Sequence, residues 1–358
     1  MPRHATGWKA AMMSKLSEDP RIDPRIKTMF GELDIPGQPD AASRDEILAQ
    51  ANSDEAVAMR EGLAAFLGMS DTEEIAPSDG LTISTETFVS SPDGNTINVQ
   101  MIVPNGNGTS HGPLPGVYYI HGGGMASMSC YDGNYKAWGR IIAQNGVAVA
   151  MVDFRNSVTP SSAPEVAPYP AGLNDCASGM RWLSDNAERL GIDGSRIIIA
   201  GESGGGNLTL ATGMKLLREG DIGLVKGLYA LCPYIAGSWP REDLPSTTEN
   251  NGILLDLHNN TGAMGYGIEA FEAEDPLAWP LFASAEDVIG LPTTVISVNE
   301  CDPLRDEGIA FYRLLLESGV PARCRQVMGT IHGTEVFPMT CPDVSRDTAR
   351  DLAGLAMG

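Results

Sequence analysis

The spacing of apolar side chains changes twice along the chain. Up to about residue 75 the sequence is polar, with apolar residues at helical intervals: Ile22, Ile26, Met29 and Phe30 fall at i, i+4, i+7 and i+8, with Met12 and Leu16 upstream. That spacing predicts helices with one apolar face. From residue 81 the pattern becomes strand-like, and runs at 82–89 and 96–103 flank the turn Ser91-Pro92-Asp93-Gly94, which predicts a hairpin. Beyond a Gly/Asn/Pro-rich loop at 104–115, short apolar runs at 116–120, 147–154 and 196–200 alternate with helix-period segments near 134–145, 173–190 and 204–217. Further strand-like runs lie at 228–232, 294–298 and 322–327. Alternation of this length predicts βαβ units, hence an α/β fold on a mostly parallel sheet. Residues 233–292 are rich in Gly, Trp and acids and show little strand character. So long a stretch is more than a plain connection and reads as an inserted subdomain, at about 235–290.

A chain of 358 residues accommodates one α/β core with an appendage. The expected division is a helical segment at 1–75 and an α/β domain at 76–358 that contains the insertion. Acidic residues outnumber basic ones 46 to 24, a net charge of -22, which repels nucleic acid and anionic membrane surfaces. Neither is expected as a partner. The six cysteines, Cys130, Cys176, Cys232, Cys301, Cys324 and Cys341, show no CxxC spacing and are expected to be reduced and mostly buried, without a metal site. The first twenty residues lack the apolar run of a secretion signal, and no window is long and apolar enough to span a membrane, so a cytoplasmic protein is expected.

Two pentapeptides fit G-x-S-x-G. The one at 108–112 contains Ser110 and sits in a turn-rich loop with no helix after it. The one at 201–205 follows the β-branched run RIIIA and opens an apolar-periodic helix through Leu208 and Ala211, the strand, sharp turn and helix that present a nucleophilic serine. Ser203 is therefore the candidate nucleophile. The first-turn N–H groups of that helix favour negative charge beside it, which makes Gly204 N–H a natural oxyanion donor. A second motif, HGGG at 121–124, follows the run VYYI. Consecutive glycines let backbone N–H groups turn inward toward a substrate carbonyl, as an oxyanion hole requires. His121 itself is expected to order that loop by hydrogen bonding.

A base and its orienting acid should follow the serine in the order acid, histidine. Of the histidines beyond Ser203, His258 lies inside the insertion, whereas His332 follows the last strand-like run and a turn. His332 is the expected base. After the run at 294–298, Glu300, Asp302, Asp306 and Glu307 compete for the acid role. Asp302 sits on the loop just past the strand, and Asp306 and Glu307 suit the first turn of the next helix, where acids favour the dipole. Glu300 remains a rival.

HGGG at 121–124, VDFR at 152–155, PYPAGLNDC at 168–176, GESGGGN at 201–207, DPLRDEG at 302–308 and HG at 332–333 stand in this order. With them the sequence resembles the hormone-sensitive-lipase-like carboxylesterases, bacterial family IV of the α/β-hydrolase superfamily. The resemblance covers roughly residues 80–340. It implies an eight-stranded, mostly parallel sheet flanked by helices, under a helical cap built from the N-terminal segment and the insertion. It implies Ser203, Asp302 and His332 as the triad, and Gly123, Gly124 and Gly204 as the oxyanion hole. It also implies hydrolysis of short- to medium-chain carboxylic esters without a cofactor or metal, with a small-molecule ester as the partner, and a homodimer. The chain departs from the usual pattern at Glu202 and Gly204 in the elbow, at Met125 after HGGG, at Thr334 after His332-Gly333, and at 156–165, which is longer than the family's usual turn. An amidase or peptidase with the same triad, and a non-catalytic receptor on the same fold, are the rival readings. Receptors of this kind lack the triad histidine, and His332 is present.

Overall fold

The computed structural model describes residues 14–33, 37–105 and 112–358, so Met12, Ser110 and His111 lie outside it. Four helices come first: α1 (Lys15–Glu18), α2 (Pro24–Phe30), α3 (Arg44–Ala51) and α4 (Asp54–Gly68). Each begins where the sequence supplies a short acceptor, since the side chains of Ser14, Asp23, Ser43 and Ser53 take a first-turn backbone N–H. The hairpin follows as β1 (Leu81–Val89) and β2 (Thr96–Pro104), paired antiparallel over their whole length. Next come β3 (Leu114–Ile120), α5 (Gly133–Ala143), β4 (Ala148–Val152), α6 (Ala171–Asp185), β5 (Ile192–Glu202), α7 (Gly204–Glu219) and β6 (Gly227–Leu231). The insertion holds α8 (Ser246–Glu249), α9 (Thr261–Glu272) and α10 (Ala285–Val288). The chain then re-enters the sheet with β7 (Thr293–Asn299), α11 (Arg305–Glu317) and β8 (Ala322–Val327), and ends with α12 (Pro342–Met357).

The eight strands form one sheet in the order β1-β2-β4-β3-β5-β6-β7-β8. β2 runs antiparallel to both neighbours and every other pair is parallel. Side chains alternate across it as the pleat demands. Val117 and Tyr119 of β3, with Ile198 and Ala200 of β5, join a layer with Trp138 of α5 and Leu352 of α12. Tyr118, Ile120, Ile197 and Ile199 enter the opposite layer with Met180 of α6, Leu208 of α7 and Phe311 of α11. Central strands covered on both faces read as unbroken apolar runs, which is why β3, β4 and β5 are evident in the sequence. Helix α12 is not among the elements the sequence predicts. Its buried face is made chiefly of alanines, Ala349, Ala353 and Ala356 around Leu352.

The N-terminal apolar face packs in a place the sequence does not foretell. Leu16, Ile22, Ile26 and Phe30 cluster with Ile253 of the insertion and with Cys301 and Ile331, the residues immediately before Asp302 and His332. Helices α1 and α2 thus support the two loops that follow β7 and β8. Ile26 is fully enclosed there. Ile26→Ala should cost about 2–5 kcal/mol of unfolding free energy, read as a lower denaturant midpoint with unchanged slope.

Candidate active site

Ser203 sits between β5 and α7 with φ 56° and ψ -120°, a left-handed φ that a non-glycine residue adopts only when its surroundings impose it. The surroundings here are backbone. A Cβ at Gly205 would lie 2.0 Å from the carbonyl oxygen of Ile120, and one at Gly201 would lie 2.5 Å from that same oxygen. Only glycine permits so close an approach. Ser203 N–H donates to Leu231 O at 2.9 Å, and its carbonyl accepts from Asn207 N–H at 3.0 Å and Tyr234 N–H at 3.1 Å.

Asp302 is fully buried on the loop beyond β7. Its Oδ1 accepts from Leu304 N–H at 2.9 Å, and its Oδ2 lies 2.8 Å from His332 Nδ1. Both carboxylate oxygens are thus engaged. His332 stands on the loop after β8, where Gly333 takes a left-handed φ of 64° and Thr334 Oγ1 accepts from Ile331 N–H at 3.1 Å. Burial alone depresses the His332 imidazolium, but the nearby Asp302 carboxylate, together with Cys232, outweighs burial and holds its pKa well above the ordinary 6.5.

Ser203, His332, Gly123 and Gly124 all open on one cavity of about 660 Å³, walled by apolar side chains that include Phe30, Leu63, Phe66, Leu255 and Phe337. The HGGG loop comes closest to the elbow at Gly204, where a Cβ would meet Gly124 N at 2.8 Å and Met125 N at 2.5 Å. Gly123 and Gly124 have φ of 89° and 63°. The segment 156–165 braces this loop from behind. Ser157 N–H donates to Met125 O at 2.9 Å, Thr159 N–H to Ala126 O at 2.9 Å, and Asn156 Nδ2 to Met128 O at 2.8 Å.

The other sequence candidates lie elsewhere. His121 is buried off the cavity, with Nδ1 3.0 Å from Gly122 O, Nε2 3.6 Å from Asp153 Oδ1, and its ring stacked on Phe154 at 4.4 Å. Burial keeps its pKa low, so it holds the loop as a neutral ring. Glu300 accepts from Gly329 N–H at 2.7 Å and does not touch His332. His258 Nε2 meets Thr247 O at 2.9 Å, inside the insertion. Asp306 and Glu307 occupy the first turn of α11. Glu307 does more than complement the dipole, for its carboxylate accepts from Ile235 N–H at 2.6 Å, Ala236 N–H at 3.2 Å and Trp239 Nε1 at 2.8 Å.

Cys232 was singled out in the sequence only as a buried thiol, yet its Sγ, an Asp302 oxygen and a His332 nitrogen lie within 4.8 Å of one another. Burial pushes the thiol up to about 11. Near neutral pH it is therefore a protonated, uncharged neighbour of the imidazole, and a poor metal ligand, because metals bind the thiolate. All six cysteines are unpaired thiols, five of them buried and Cys324 partly so.

A serine at a strained strand-to-helix turn on this eight-stranded sheet, with a paired histidine and acid beyond β8 and β7, defines the α/β-hydrolase class of fold. A family model described as the alpha/beta hydrolase fold matches residues 117–336. Carboxylesterase NlhH of Mycobacterium tuberculosis is 33% identical over 247 residues, 68% of this chain and 73% of that protein. An arylesterase of Saccharolobus solfataricus is 33% identical over 64% of this chain and 71% of its own length. Among solved structures, esterase Est22 is 67% identical with a TM-score of 0.93, covering 96% of this chain and 99% of that one. Brefeldin A esterase, titled a bacterial homologue of human hormone-sensitive lipase, is 35% identical with a TM-score of 0.82 over 95% and 94%. The chain belongs to the α/β-hydrolase family, in its hormone-sensitive-lipase-like branch.

The His332–Asp302 contact is open to a direct check. An NMR titration should place the His332 midpoint above 6.5, and Asp302→Asn should lower it, because the largest contribution that opposes burial is then removed. A midpoint that Asp302→Asn leaves in place would show that the carboxylate does not govern this imidazole.

Proposed function

We propose that the chain is a serine carboxylesterase whose acyl-enzyme forms on Ser203. The carrying observation is that Ser203 and His332 open on one apolar cavity while His332 Nδ1 is tied to buried Asp302 at 2.8 Å. That contact leaves Nε2 as the free base. His332 takes the Ser203 hydroxyl proton as Oγ attacks the ester carbonyl, and the carbonyl oxygen becomes an oxyanion bonded by the N–H groups of Gly123, Gly124 and Gly204. Collapse expels the alcohol, which takes the proton from His332. A water molecule, deprotonated in turn by His332, then releases the carboxylic acid and restores Ser203. Asp302 fixes the tautomer and stabilises the imidazolium. Every proton is carried by His332, so the cycle calls on no metal or cofactor.

The names of the relatives support ester hydrolysis as the activity, and an apolar cavity of about 660 Å³ suits short- to medium-chain esters with an apolar acyl or alcohol part. Its walls divide between a hydrolase domain and a cap. Helix α4 and the chain after α2 contribute Leu63, Phe66 and Leu33, and the insertion contributes Leu254, Leu255 and Leu257. We read residues 1–75 and the insertion at about 235–290 as that cap, on a domain that spans 76–358. No helix of the described residues is long and apolar enough to cross a membrane. Cytoplasmic residence, expected from the sequence, and a homodimer, expected from the family resemblance alone, complete the proposal.

Ser203→Ala should lower kcat on a short-chain aryl ester by about 10³-fold or more. Asp302→Asn should lose up to about 10⁴-fold through the wrong imidazole tautomer, whereas Glu300→Gln should be mild. A reversed ranking transfers the acid role to Glu300. Aryl anilides matched to the esters should turn over far more slowly, and equal rates would make the enzyme an amidase. EDTA should leave the rate unchanged.

Acid should extinguish activity earlier than an ordinary histidine would dictate. His332 acts as a base only when neutral, and its pKa lies above 6.5, so kcat/KM should fall with a midpoint above that value as pH drops. A midpoint below 6.5 would place the essential base elsewhere.

A further inference from the structure

Among the sequence departures, Glu202 has no part in the cycle above, although it precedes the nucleophile and is almost completely buried. Its carboxylate is bonded from two directions. Oε1 accepts the N–H of Gly122 at 2.7 Å and also the hydroxyl of Tyr135, which itself lies 2.9 Å from Gly122 N. Oε2 accepts the hydroxyl of Tyr119 at 2.6 Å. Glu202 is covalently joined to Ser203, and Gly122 to Gly123, so this one carboxylate spans the nucleophile elbow and the loop of oxyanion donors. A Cβ at Gly122 would come within 2.3 Å of Oε1, so the loop lies directly against the acid. The donors themselves are fixed on regular structure, Tyr119 on β3 and Tyr135 on α5.

We propose that Glu202 is a positioning residue that sets the distance between Ser203 and the oxyanion donors Gly123 and Gly124. It is not a catalytic residue, since its carboxylate bonds Gly122, Tyr119 and Tyr135 and none of the reacting atoms. The inference rests on the roles given to Ser203, Gly123 and Gly124 in the proposed function.

The physical need for such a clamp lies in the loop. With left-handed φ at Gly123, Gly124 and Met125, its backbone follows neither helix nor strand, and glycines lose more freedom on ordering than any other residue. Oxyanion donors are effective only when they are aimed before the charge develops, and an error of about 1 Å costs on the order of 10²-fold in rate. A carboxylate accepting the Gly122 N–H supplies a charge-assisted bond at the entrance of the loop. Burial pushes this carboxyl from 4.5 up to about 7, against the pull of the Tyr119, Tyr135 and Gly122 donors. The titratable groups that face it are those two tyrosines, both raised well above 10 by burial and by Glu202 itself. No Lys or Arg bonds to it among the described residues. Its ionisation thus falls within the working range of a hydrolase, and the bond to Gly122 changes strength there.

Glu202→Gln keeps an acceptor for Gly122 N–H and turns the other arm into a donor that the Tyr119 hydroxyl can accept. Glu202→Val removes the clamp and keeps the site apolar. Each variant is titrated with a small organophosphate that counts labelled Ser203, so that kcat is expressed per competent site and a loss of folded protein does not register. Glu202→Val should lose about 10²-fold or more in kcat per site with KM within about threefold. Glu202→Gln should restore at least a tenth of the wild-type kcat, and its kcat/KM profile should lack an ionisation near pH 7 that the wild type shows. A Glu202→Val enzyme with wild-type kcat per site, or an equal fall in both variants, overturns the proposal. Because labelling of Ser203 is scored separately, failure of the clamp leaves the serine mechanism standing, whereas absence of labelling in the wild type would remove the mechanism itself.

Discussion

The site depends on how closely two stretches of backbone approach each other at the C-terminal ends of β3 and β5. These strands pair in parallel, with Ile120 opposite Gly201, and just past that point both chains leave the sheet. One becomes the HGGG loop and the other the elbow at Ser203. No side chain fits between them, since Cβ atoms at Gly201, Gly204 and Gly205 would all strike backbone of the other stretch. The left-handed φ of Ser203 follows from this contact, because the chain must turn within one residue from strand β5 into helix α7. The turn also brings the start of α7 beside the loop, where a Cβ at Gly204 would meet the backbone nitrogens of Gly124 and Met125. Parallel sheets place such convergences at the carboxyl ends of their strands.

The two remaining groups arrive from farther along the sheet and need a different kind of support. Asp302 and His332 lie on loops whose backbones would wander without anchors. The anchors come from segments distant in sequence. Asn250 of the insertion donates to the carbonyls of Glu300 and Asp302 at 3.2 and 3.0 Å, and Arg21, before α2, reaches Asn250 Oδ1 at 2.9 Å. Asp23 N–H donates to Gly329 O at 2.9 Å. Behind the histidine, Asn299 Nδ2 joins Thr330 Oγ1 at 2.8 Å to Glu335 at 3.2 Å. The N-terminal helices and the insertion are therefore structural partners of the loops that carry Asp302 and His332 as well as walls of the cavity. Leu16 of α1 and Ile26 of α2 share one apolar cluster with Cys301 and Ile331, the residues that precede Asp302 and His332.

What the sequence discloses follows from the range of the interactions involved. Strands β3 to β7 are legible because burial on both faces writes an apolar run, and the elbow because its glycines and serine are neighbours in the chain. Ser203, His332 and Asp302 could be ordered by rules of position along the fold, and the structure brings His332 and Asp302 into contact and sets Ser203 on the same cavity. The roles of Glu202, Cys232, Glu307 and the segment at 156–165 were not legible. Glu202 meets Gly122 across 80 residues and Glu307 meets Ile235 across 72, and no periodicity records such pairings. The local sign was that Met125, Glu202, Gly204, Thr334 and the length of 156–165 broke the family pattern, and Glu202 and 156–165 prove to be where the HGGG loop is held. Gly204 is where that loop comes nearest to the elbow.

Three of the buried acids share a direction of titration that sets fold and function against each other. Burial lifts Glu202 to about 7 and Glu307 to about 8, and raises Glu335 as well. A carboxyl whose folded pKa exceeds its unfolded value contributes stability that is complete below the unfolded value, about 4.5, and is lost as pH climbs through the folded one. His332, raised above 6.5, obeys the same sign. Each of these groups therefore draws the folded state toward acid. The role proposed for His332 draws the other way, since a general base acts only when it has shed its proton. Activity must then be sought at pH values where the acids around the site are being forced to ionise in place. Their remedy is local, because each carboxylate has donors waiting: Gly122 and two tyrosines for Glu202, two backbone N–H groups and an indole for Glu307, and the Asn299 amide for Glu335. Hydrogen bonds to the charged form are what allow a buried acid to ionise without opening the fold. The donors that tie Glu202 to Gly122 and Glu307 to the start of the insertion are thus the same ones that let these acids ionise within the fold.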